Sequence, residues 1–344
     1  MALKQKIVVI GGGIAGIEAS SILSRMDYDV TLIEKTDNIG GHVAQWDRLF
    51  PNQRKSDEII EYLKANIPSN LKIKLNTTVS TIAKNNTSFV VSLSDNELIE
   101  TDSILISTGY DLFDAKLKEE YGYGIYDNVI TSAELEKLFR ENKPILTKSG
   151  KEPQRIGFVH CVGSRDRKIN NIYCSKVCCV TAVKQAIEVR QKLPYSEAYC
   201  FYMDLRMYGL SFEEIYNESQ EKYGVTFIRG RLSEAAENKE GQIIVKVEDT
   251  LLGRPMKMTM DLLVLMVGMT PSEGTSGLIK MLNLETNSSH FIASKDEHTQ
   301  SNITSHPGIF VAGAATSPKS IDDTLADARG AVVKILEYLN SNAQ

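Results

Sequence analysis

The sequence predicts an α/β protein of two nested domains, each built on a parallel sheet, with the second inserted into the first. Three observations predict it. A short β-branched run, Lys6-Ile-Val-Val-Ile10, opens onto a glycine-rich turn and a helix-period stretch. A second apolar run, Arg155–His160, begins another strand–helix–strand pattern in mid-chain, and a late run, Gly308–Ala312, meets Gly313 and a closing helix. At 344 residues and 42% hydrophobic content, the chain holds about two domains of roughly 100–200 residues each.

In order, the strand Lys6–Ile10 is followed by a helix over Ile17–Met26 and a strand over Val30–Ile33, a βαβ unit. Further strands are expected at Leu71–Leu75, Phe89–Leu93 and Ser103–Ser107. Lys116–Tyr121 and Ser132–Asn142 are polar and helix-forming, and Lys148–Pro153 has linker composition. After Arg155–His160, a helix over Val180–Leu193 leads to strands at Ala198–Asp204, Val225–Arg229, Ile243–Val247 and Leu262–Val267, and a last helix covers Ile321–Leu339. The expected boundaries are 1–115 with 285–344 for the outer domain, 116–149 for a connection and 150–284 for the insert.

Net charge is −5 with no long basic run, which argues against nucleic acid as a bulk electrostatic partner. No apolar stretch approaches the roughly 20 residues that span a bilayer. Met1–Lys6 runs straight into the first strand without a secretory apolar region, so a cytoplasmic location is expected. Clustered thiols there are more often ligands or catalytic groups than disulfides.

Gly11, Gly13 and Gly16 form G-x-G-x-x-G between strand and helix, where the backbone turns tightly and aims helix N–H groups at a pyrophosphate. Glu34 ends the next strand, 18 residues beyond Gly16, and can accept from a ribose diol. Three further elements, Gly40-Gly41-His42, Ser107-Thr108-Gly109 and Gly313 after the late strand, occur in the order found in flavoproteins with two dinucleotide-binding domains, which favours FAD over NAD in the outer domain. The expected cofactor-binding set is Gly11, Gly13, Ile14, Ala15, Gly16, Glu34, Lys35, Gly41, His42, Val79, Thr108, Gly109, Gly313, Ala314, Ser320, Ile321 and Asp322.

The inserted domain lacks an equivalent loop. Its first strand ends in Cys161-Val-Gly163-Ser-Arg165, with one glycine and a thiol at the turn. Arg165 and Arg167 could meet phosphate through side chains, and Asp204 with Arg206 faintly echoes a ribose reader, so NAD(P)H is only weakly supported. Four of the five cysteines, Cys161, Cys174, Cys178 and Cys179, are spaced C-x12-C-x3-C-C, while Cys200 stands alone in a strand. Three chemistries are open for the four: a [4Fe–4S] cluster on four thiolates, a zinc site for which adjacent ligands fit poorly, and a redox dithiol. His160 reads as a buried strand histidine.

Gly157-Phe-Val-His-Cys161-Val-Gly-Ser-Arg165 and Asn171-Ile-Tyr-Cys174-Ser-Lys-Val-Cys178-Cys179-Val-Thr-Ala-Val-Lys184 resemble the A subunit of heterodisulfide reductase, and the likeness runs from Lys6 to about Leu339. The resemblance implies a thioredoxin/glutathione-reductase-like flavoprotein fold, FAD in the outer domain, and a [4Fe–4S] cluster on Cys161, Cys174, Cys178 and Cys179. It implies an electron-transfer subunit in thiol or disulfide (sulfur) oxidation, a homodimer docked to iron–sulfur partner subunits, with an acceptor such as NAD. Lys184, five residues past Cys179, is then the candidate catalytic group, its ammonium at the flavin N5 edge; a solvated surface lysine is the plain alternative.

The chain departs from that pattern in three places. Ala314 follows Gly313 where flavoproteins of this type carry Asp, leaving backbone N–H groups or Asp322 to meet the cofactor. Asp47–Arg54 holds no cysteine, and Cys200 is the sole cysteine outside the motif, which speaks against multi-centre electron bifurcation. The chain is thus most similar to short A-like subunits of sulfur-oxidising complexes. A stand-alone NAD(P)H-dependent disulfide reductase and a flavin-bearing scaffold with structural zinc are the competing expectations.

Overall fold

A computed structural model describes residues 4–342; Met1–Leu3, where the expectation of a leaderless start begins, lie outside the described residues. The chain divides into two compact units, one of residues 1–44, 57–111 and 270–344, the other of residues 45–56 and 112–269.

The first unit is built on five parallel strands in the order Ile309–Val311, Ser103–Ile106, Lys6–Ile10, Asp29–Ile33 and Lys72–Lys74. Alternation along the strand Lys6–Ile10 sorts the core, because successive side chains leave a strand on opposite faces. Ile7 and Val9 pack with Ile17 and Leu23 of the helix Ile14–Arg25 and with Val332 and Ile335 of the helix Ile321–Asn342. Val8 and Ile10 pack with Phe89, Val91 and Leu93 of the antiparallel meander Val79–Asn85, Ser88–Leu93, Leu98–Thr101. A sheet covered on both faces favours a continuous apolar run in a central strand, and Ile104, Leu105 and Ile106 are all buried.

The second unit repeats this three-layer scheme. Its parallel sheet runs Val129–Thr131, Leu262–Val267, Arg155–Val162, Glu197–Tyr202, Thr226–Arg229. Phe158, Cys200 and Val264 face the helices Ser132–Arg140 and Cys178–Lys192. Val159, Phe201 and Leu265 face the meander Leu232–Glu237, Ile243–Asp249, Arg254–Met260. The helix Ser132–Arg140 opens with a capping box: Thr131 Oγ1 accepts from the Glu134 N–H while the Glu134 carboxylate accepts from the Thr131 N–H.

The units differ from the expected boundaries at three points, each for a packing reason. Residues 116–149 belong to the second unit, because Val129–Thr131 pairs with Leu263–Leu265 and Leu135, Phe139 and Ile145 join the core of Ile156 and Phe158. Residues 270–284 belong to the first, where Leu278 of the helix Glu273–Leu282 packs with Val8 and Ile10. Residues 45–56 join the second unit, where the Glu136 carboxylate accepts from the Asp47 N–H at 2.9 Å. Lys116–Tyr121 forms two short 3-10 turns rather than a helix, Lys118 leaving the helical region between them. Among the described residues no helix is long and apolar enough to cross a membrane.

Candidate functional site

In the first unit the turns after three adjacent strands gather at the carboxyl ends of the sheet, where ligands of doubly wound folds bind. The three glycines have separable duties. Gly11 has φ +108°, and a Cβ there would stand 2.5 Å from the Ser107 carbonyl oxygen. A Cβ on Gly16 would lie 1.9 Å from the Gly11 carbonyl oxygen, so this glycine sets how closely helix and strand approach. Around Gly13, by contrast, a Cβ would meet nothing within 4 Å. Gly13 is also the N-cap of the helix, with no side chain capping it, so the first-turn N–H groups of Ile14, Ala15 and Gly16 face that same open cradle. Open backbone and a positive helix end are what a pyrophosphate requires.

Glu34 is buried and braces the loop: Oε2 accepts from the Gly12 N–H at 2.7 Å, and Oε1 from the backbone and hydroxyl of Thr36, both at 2.8 Å. A carboxylate offers about four acceptor positions, so one remains for a ribose hydroxyl. Gly40 donates to the Gly12 carbonyl at 2.8 Å, which brings Gly41 to the loop, a Cβ there standing 3.2 Å from the Gly13 Cα. His42 stacks on Tyr110, and its Nε2 is 2.8 Å from the Tyr110 carbonyl oxygen. Ser107 Oγ donates to the Gly11 carbonyl at 2.9 Å, Thr108 shares a hydroxyl hydrogen bond of 2.6 Å with Thr275, and Gly109 (φ +67°) has open space around it.

At the late turn Gly313 (φ +70°) packs on Ala15, a Cβ there standing 3.0 Å from the Ala15 Cβ. Its N–H donates to Asp327 Oδ2 at 2.7 Å, and its carbonyl accepts from Lys319 at 3.1 Å. Asp327 and Lys319 were not anticipated from the sequence; their signal, one acidic and one basic residue flanking a glycine turn by 14 and 6 positions, is too distributed to read. Ala314 is buried, Asp322 is exposed, and Ser320, one residue before Ile321 opens the last helix, places its hydroxyl on Asp322 and Asp323. Lys35 is exposed, and half-buried Val79 opens the meander.

The second unit gathers the cysteines. The strand Arg155–Val162 carries an irregularity between Val159 and Val162, and Cys161 adopts φ +60°, a conformation unusual for a residue with a side chain. Gly163 follows at φ +79°, where a Cβ would strike the Phe113 ring at 2.0 Å. That ring fills the space which is open at Gly13, so this turn lacks a pyrophosphate cradle. The loop beyond is closed by paired backbone bonds between Asp166 and Asn171 and by the Arg165 N–H donating to the Tyr173 carbonyl at 2.8 Å. The Lys176 N–H donates to Cys174 Sγ at 3.3 Å. Cys178 and Cys179 then open the helix Cys178–Lys192, whose N-cap Val177 supplies no side-chain cap, so first-turn N–H groups and the positive helix end face the thiols.

All five cysteines are free thiols, and only Cys174 among the four of the motif is partly exposed. The hydrogen bond with Cys178 brings the Cys161 thiol down to about 7, with Arg165 helping against burial. The same hydrogen bond and burial raise Cys178, and the charges of Cys161, Cys179 and Cys174 all bear on it. Burial pushes Cys179 up to about 12. Four thiols within electrostatic reach of one another cannot ionise together without a cation to compensate them, and metal binding supplies one. Among the described residues no three His, Cys, Asp or Glu side chains converge on a single metal ion. In donor type alone, four thiols beside a helix N-terminus are what an iron–sulfur cluster would take.

His160 is buried with neither ring nitrogen paired, and burial lowers it to about 4. Lys184 is not a solvated lysine: it is fully buried, with Nζ 2.6 Å and 2.7 Å from the two Glu136 carboxylate oxygens and 2.8 Å from Glu188 Oε2. Glu136 is the missed partner. It lies in the stripe Ser132, Leu135, Glu136, Phe139, all buried, and a charge on a buried helical stripe signals an ion partner.

The family model described as "Pyridine nucleotide-disulphide oxidoreductase" matches residues 1–133 and 195–332, leaving the cysteine motif between the two stretches. The chain is 33% identical to the iron–sulfur A subunit of the CoB–CoM heterodisulfide reductase of Methanocaldococcus jannaschii, over 94% of the chain and 63% of that protein. It is 31% identical to the A subunit of the H(2):CoB-CoM heterodisulfide,ferredoxin reductase of Methanothermobacter marburgensis, over 97% of the chain and 64% of that protein. The chain therefore spans a little under two thirds of these relatives. In fold it is similar to Lactococcus lactis thioredoxin reductase (TM-score 0.68, 18% identity, 98% of this chain and 100% of that one).

Proposed function

We propose that the chain, which belongs to the pyridine nucleotide-disulphide oxidoreductases and is similar along nearly its whole length to heterodisulfide reductase A subunits, is an FAD- and iron–sulfur-bearing electron-transfer subunit of a heterodisulfide-reductase-like complex. The observation that carries this reading is the contrast between the two glycine turns: Gly13 leaves an open cradle at a helix N-terminus, whereas at Gly163 the Phe113 ring fills that space and thiols stand where a second nucleotide loop would be.

FAD, when bound, supplies the conversion between two-electron and one-electron chemistry. The chain's own residues do the rest. Gly13 and the first-turn N–H groups bind the pyrophosphate, Glu34 takes the ribose, and Asp327 fixes the Gly313 turn. Cys161, Cys174, Cys178 and Cys179 hold the [4Fe–4S] cluster. Lys184 lies between the carboxylates of Glu136 and Glu188, where it can tune the field around the redox centres. Passage of electrons from thiol or sulfur oxidation on partner subunits to an acceptor such as NAD, a homodimer and a cytoplasmic location complete the reading.

Metal analysis of anaerobically purified protein tests it. Iron with equimolar acid-labile sulfide supports the electron-transfer role, zinc supports a scaffold, and metal-free flavoprotein that oxidises NADPH alone supports the stand-alone reductase.

A further inference from the structure

The segments that carry the motif cysteines also bury polar side chains with nothing in the chain to bond to. His160 precedes Cys161, Ser164 follows it by three residues, and Thr181 follows Cys178 by three; they are 7%, 0% and 6% exposed. Both ring nitrogens of His160, Ser164 Oγ and Thr181 Oγ1 are without a hydrogen-bond partner among the described residues. Buried polar groups are nearly always paired, so four such atoms around one group of thiols call for an acceptor outside the chain. Ser175, next to Cys174, is the contrast: its Oγ accepts from the Met269 N–H at 2.9 Å.

The three side chains reach the thiols from three different elements. The Ser164 N–H donates to the Cys161 carbonyl at 3.3 Å, closing the turn behind that thiol. A Cβ on Gly268 would stand 3.4 Å from Ser164 Oγ and 2.6 Å from Ser175 Oγ, which sets Ser164 beside the neighbour of Cys174. Thr181 lies one turn past Cys178 on the helix Cys178–Lys192, where side chains three apart are neighbours. The His160 ring is 6.4 Å from that of Tyr202, itself 6.1 Å from Phe227, which packs on the core holding Cys178. Cys179 Sγ is 3.9 Å from the carbonyl oxygen of Asp204, two residues beyond Tyr202, so His160 and Cys179 flank the same strand end.

Resting on the cluster reading above, we propose that His160, Ser164 and Thr181 donate their N–H and O–H groups to the sulfur atoms of the cluster and its thiolates, and thereby hold its reduction potential up. An imidazole carries at least one N–H and each hydroxyl one O–H, and hydrogen bonds to the sulfurs are among the quantities that set such a potential. Reduction adds one negative charge to the centre. Donors aimed at it favour the reduced form, and in a buried site water does not screen them.

The test uses the full chain, reconstituted with iron and sulfide in the absence of air, in a redox titration monitored by electron paramagnetic resonance (EPR). Ser164→Ala/Thr181→Val deletes both hydroxyls with little change of shape, and His160→Phe deletes both ring nitrogens. At a fixed ambient potential the ratio of reduced to oxidised cluster is expected to fall about tenfold in each variant, a downward shift of about 59 mV for a one-electron couple. Ser103→Ala, which removes an unpartnered buried hydroxyl from the first unit, is expected to leave the ratio unchanged. Iron-free protein gives the second reading: a hydroxyl with no partner in the chain can be deleted without lowering the melting temperature. Wild-type potentials in both variants, with iron and sulfide retained, overturn the proposal. So does a lower melting temperature of iron-free Ser164→Ala/Thr181→Val, because the hydroxyls would then be bonded within the chain. Should His160→Phe fail to hold iron, the serine and threonine variant decides alone. Unchanged potentials around an intact cluster sink only the three donors, whereas wild type that takes up no iron sinks the cluster reading and these donors with it.

Discussion

Lys118 Nζ donates to Asp166 Oδ2 at 2.7 Å, and both side chains are 2% exposed. The pair fastens the residues before the second sheet to the loop between Cys161 and Cys174, and Arg231 adds a second donor to the same oxygen at 2.6 Å. Removing one member of a buried pair costs about 3–5 kcal/mol when it strands the other, whereas removing both is close to neutral; Arg231 still meets Asp166 once the lysine is lost, so Lys118→Met falls below that range. Lys118→Met is therefore expected to lower the urea midpoint of the second unit, and Lys118→Met/Asp166→Leu to recover most of it.

The same pair sets an acid dependence. Burial works to raise the Asp166 carboxyl, but the Lys118 hydrogen bond, the Lys168 N–H and Arg231 together hold it below the usual value. A lowered folded value stabilises fully above the unfolded value of about 3.9 and is lost as pH falls through the folded one. Wild type and Lys118→Met should therefore differ most near neutrality and converge in acid, as read from denaturation midpoints across that range.

Gly13 and Gly16 give a paired prediction that separates binding from folding. Gly13 has φ −70° and open space around its missing Cβ, so Gly13→Ala keeps the fold. Its methyl enters the cradle, and FAD retention is expected to fall at least about tenfold, or 1.4 kcal/mol. Gly16→Ala forces a carbon against the Gly11 carbonyl, and is expected to lower the melting temperature even of protein stripped of flavin.

Lys184→Met leaves Glu136 and Glu188 facing each other. Burial already raises the Glu188 carboxyl against the pull of Lys184, so without the ammonium that carboxyl rises further, and a loss of about 3–5 kcal/mol is expected. Adding Glu188→Gln should restore part of it. A flavin potential unchanged between wild type and the Lys184→Met/Glu188→Gln pair would remove Lys184 from the redox chemistry and leave it a purely structural cation.

What the sequence makes legible is local. The glycine turn is a strand, a turn and a helix in sequence, and Leu262–Val267 is a continuous apolar run because both its faces are covered, so its ends are visible directly. The apolar period points to helices from Ile17 and Val180, but they begin at Ile14 and Cys178, since glycine and cysteine inside a first turn carry little helical signal. Leu232–Glu237, mostly polar, is a strand only through its partner Ile243–Asp249. The ion pairs of Lys118 with Asp166 and Lys184 with Glu136 each span 48 residues and have no local signature.

Cys200 and Cys174 make the sharpest contrast among the thiols. Cys200 is wholly buried in a strand and pushed well up by burial, so Cys200→Ser should leave iron and sulfide content unchanged, while Cys174→Ser should reduce both, as measured by colorimetric assay.

The central claim is that the four thiols of the second unit hold an iron–sulfur cube in a flavoprotein. Low-temperature EPR of anaerobically purified, dithionite-reduced protein, alongside iron, sulfide and flavin assays, tests it most directly. The account predicts about four iron and four sulfide per flavin and a cluster signal that disappears in Cys174→Ser. Protein that carries flavin yet shows no iron and no such signal after reconstitution would contradict it.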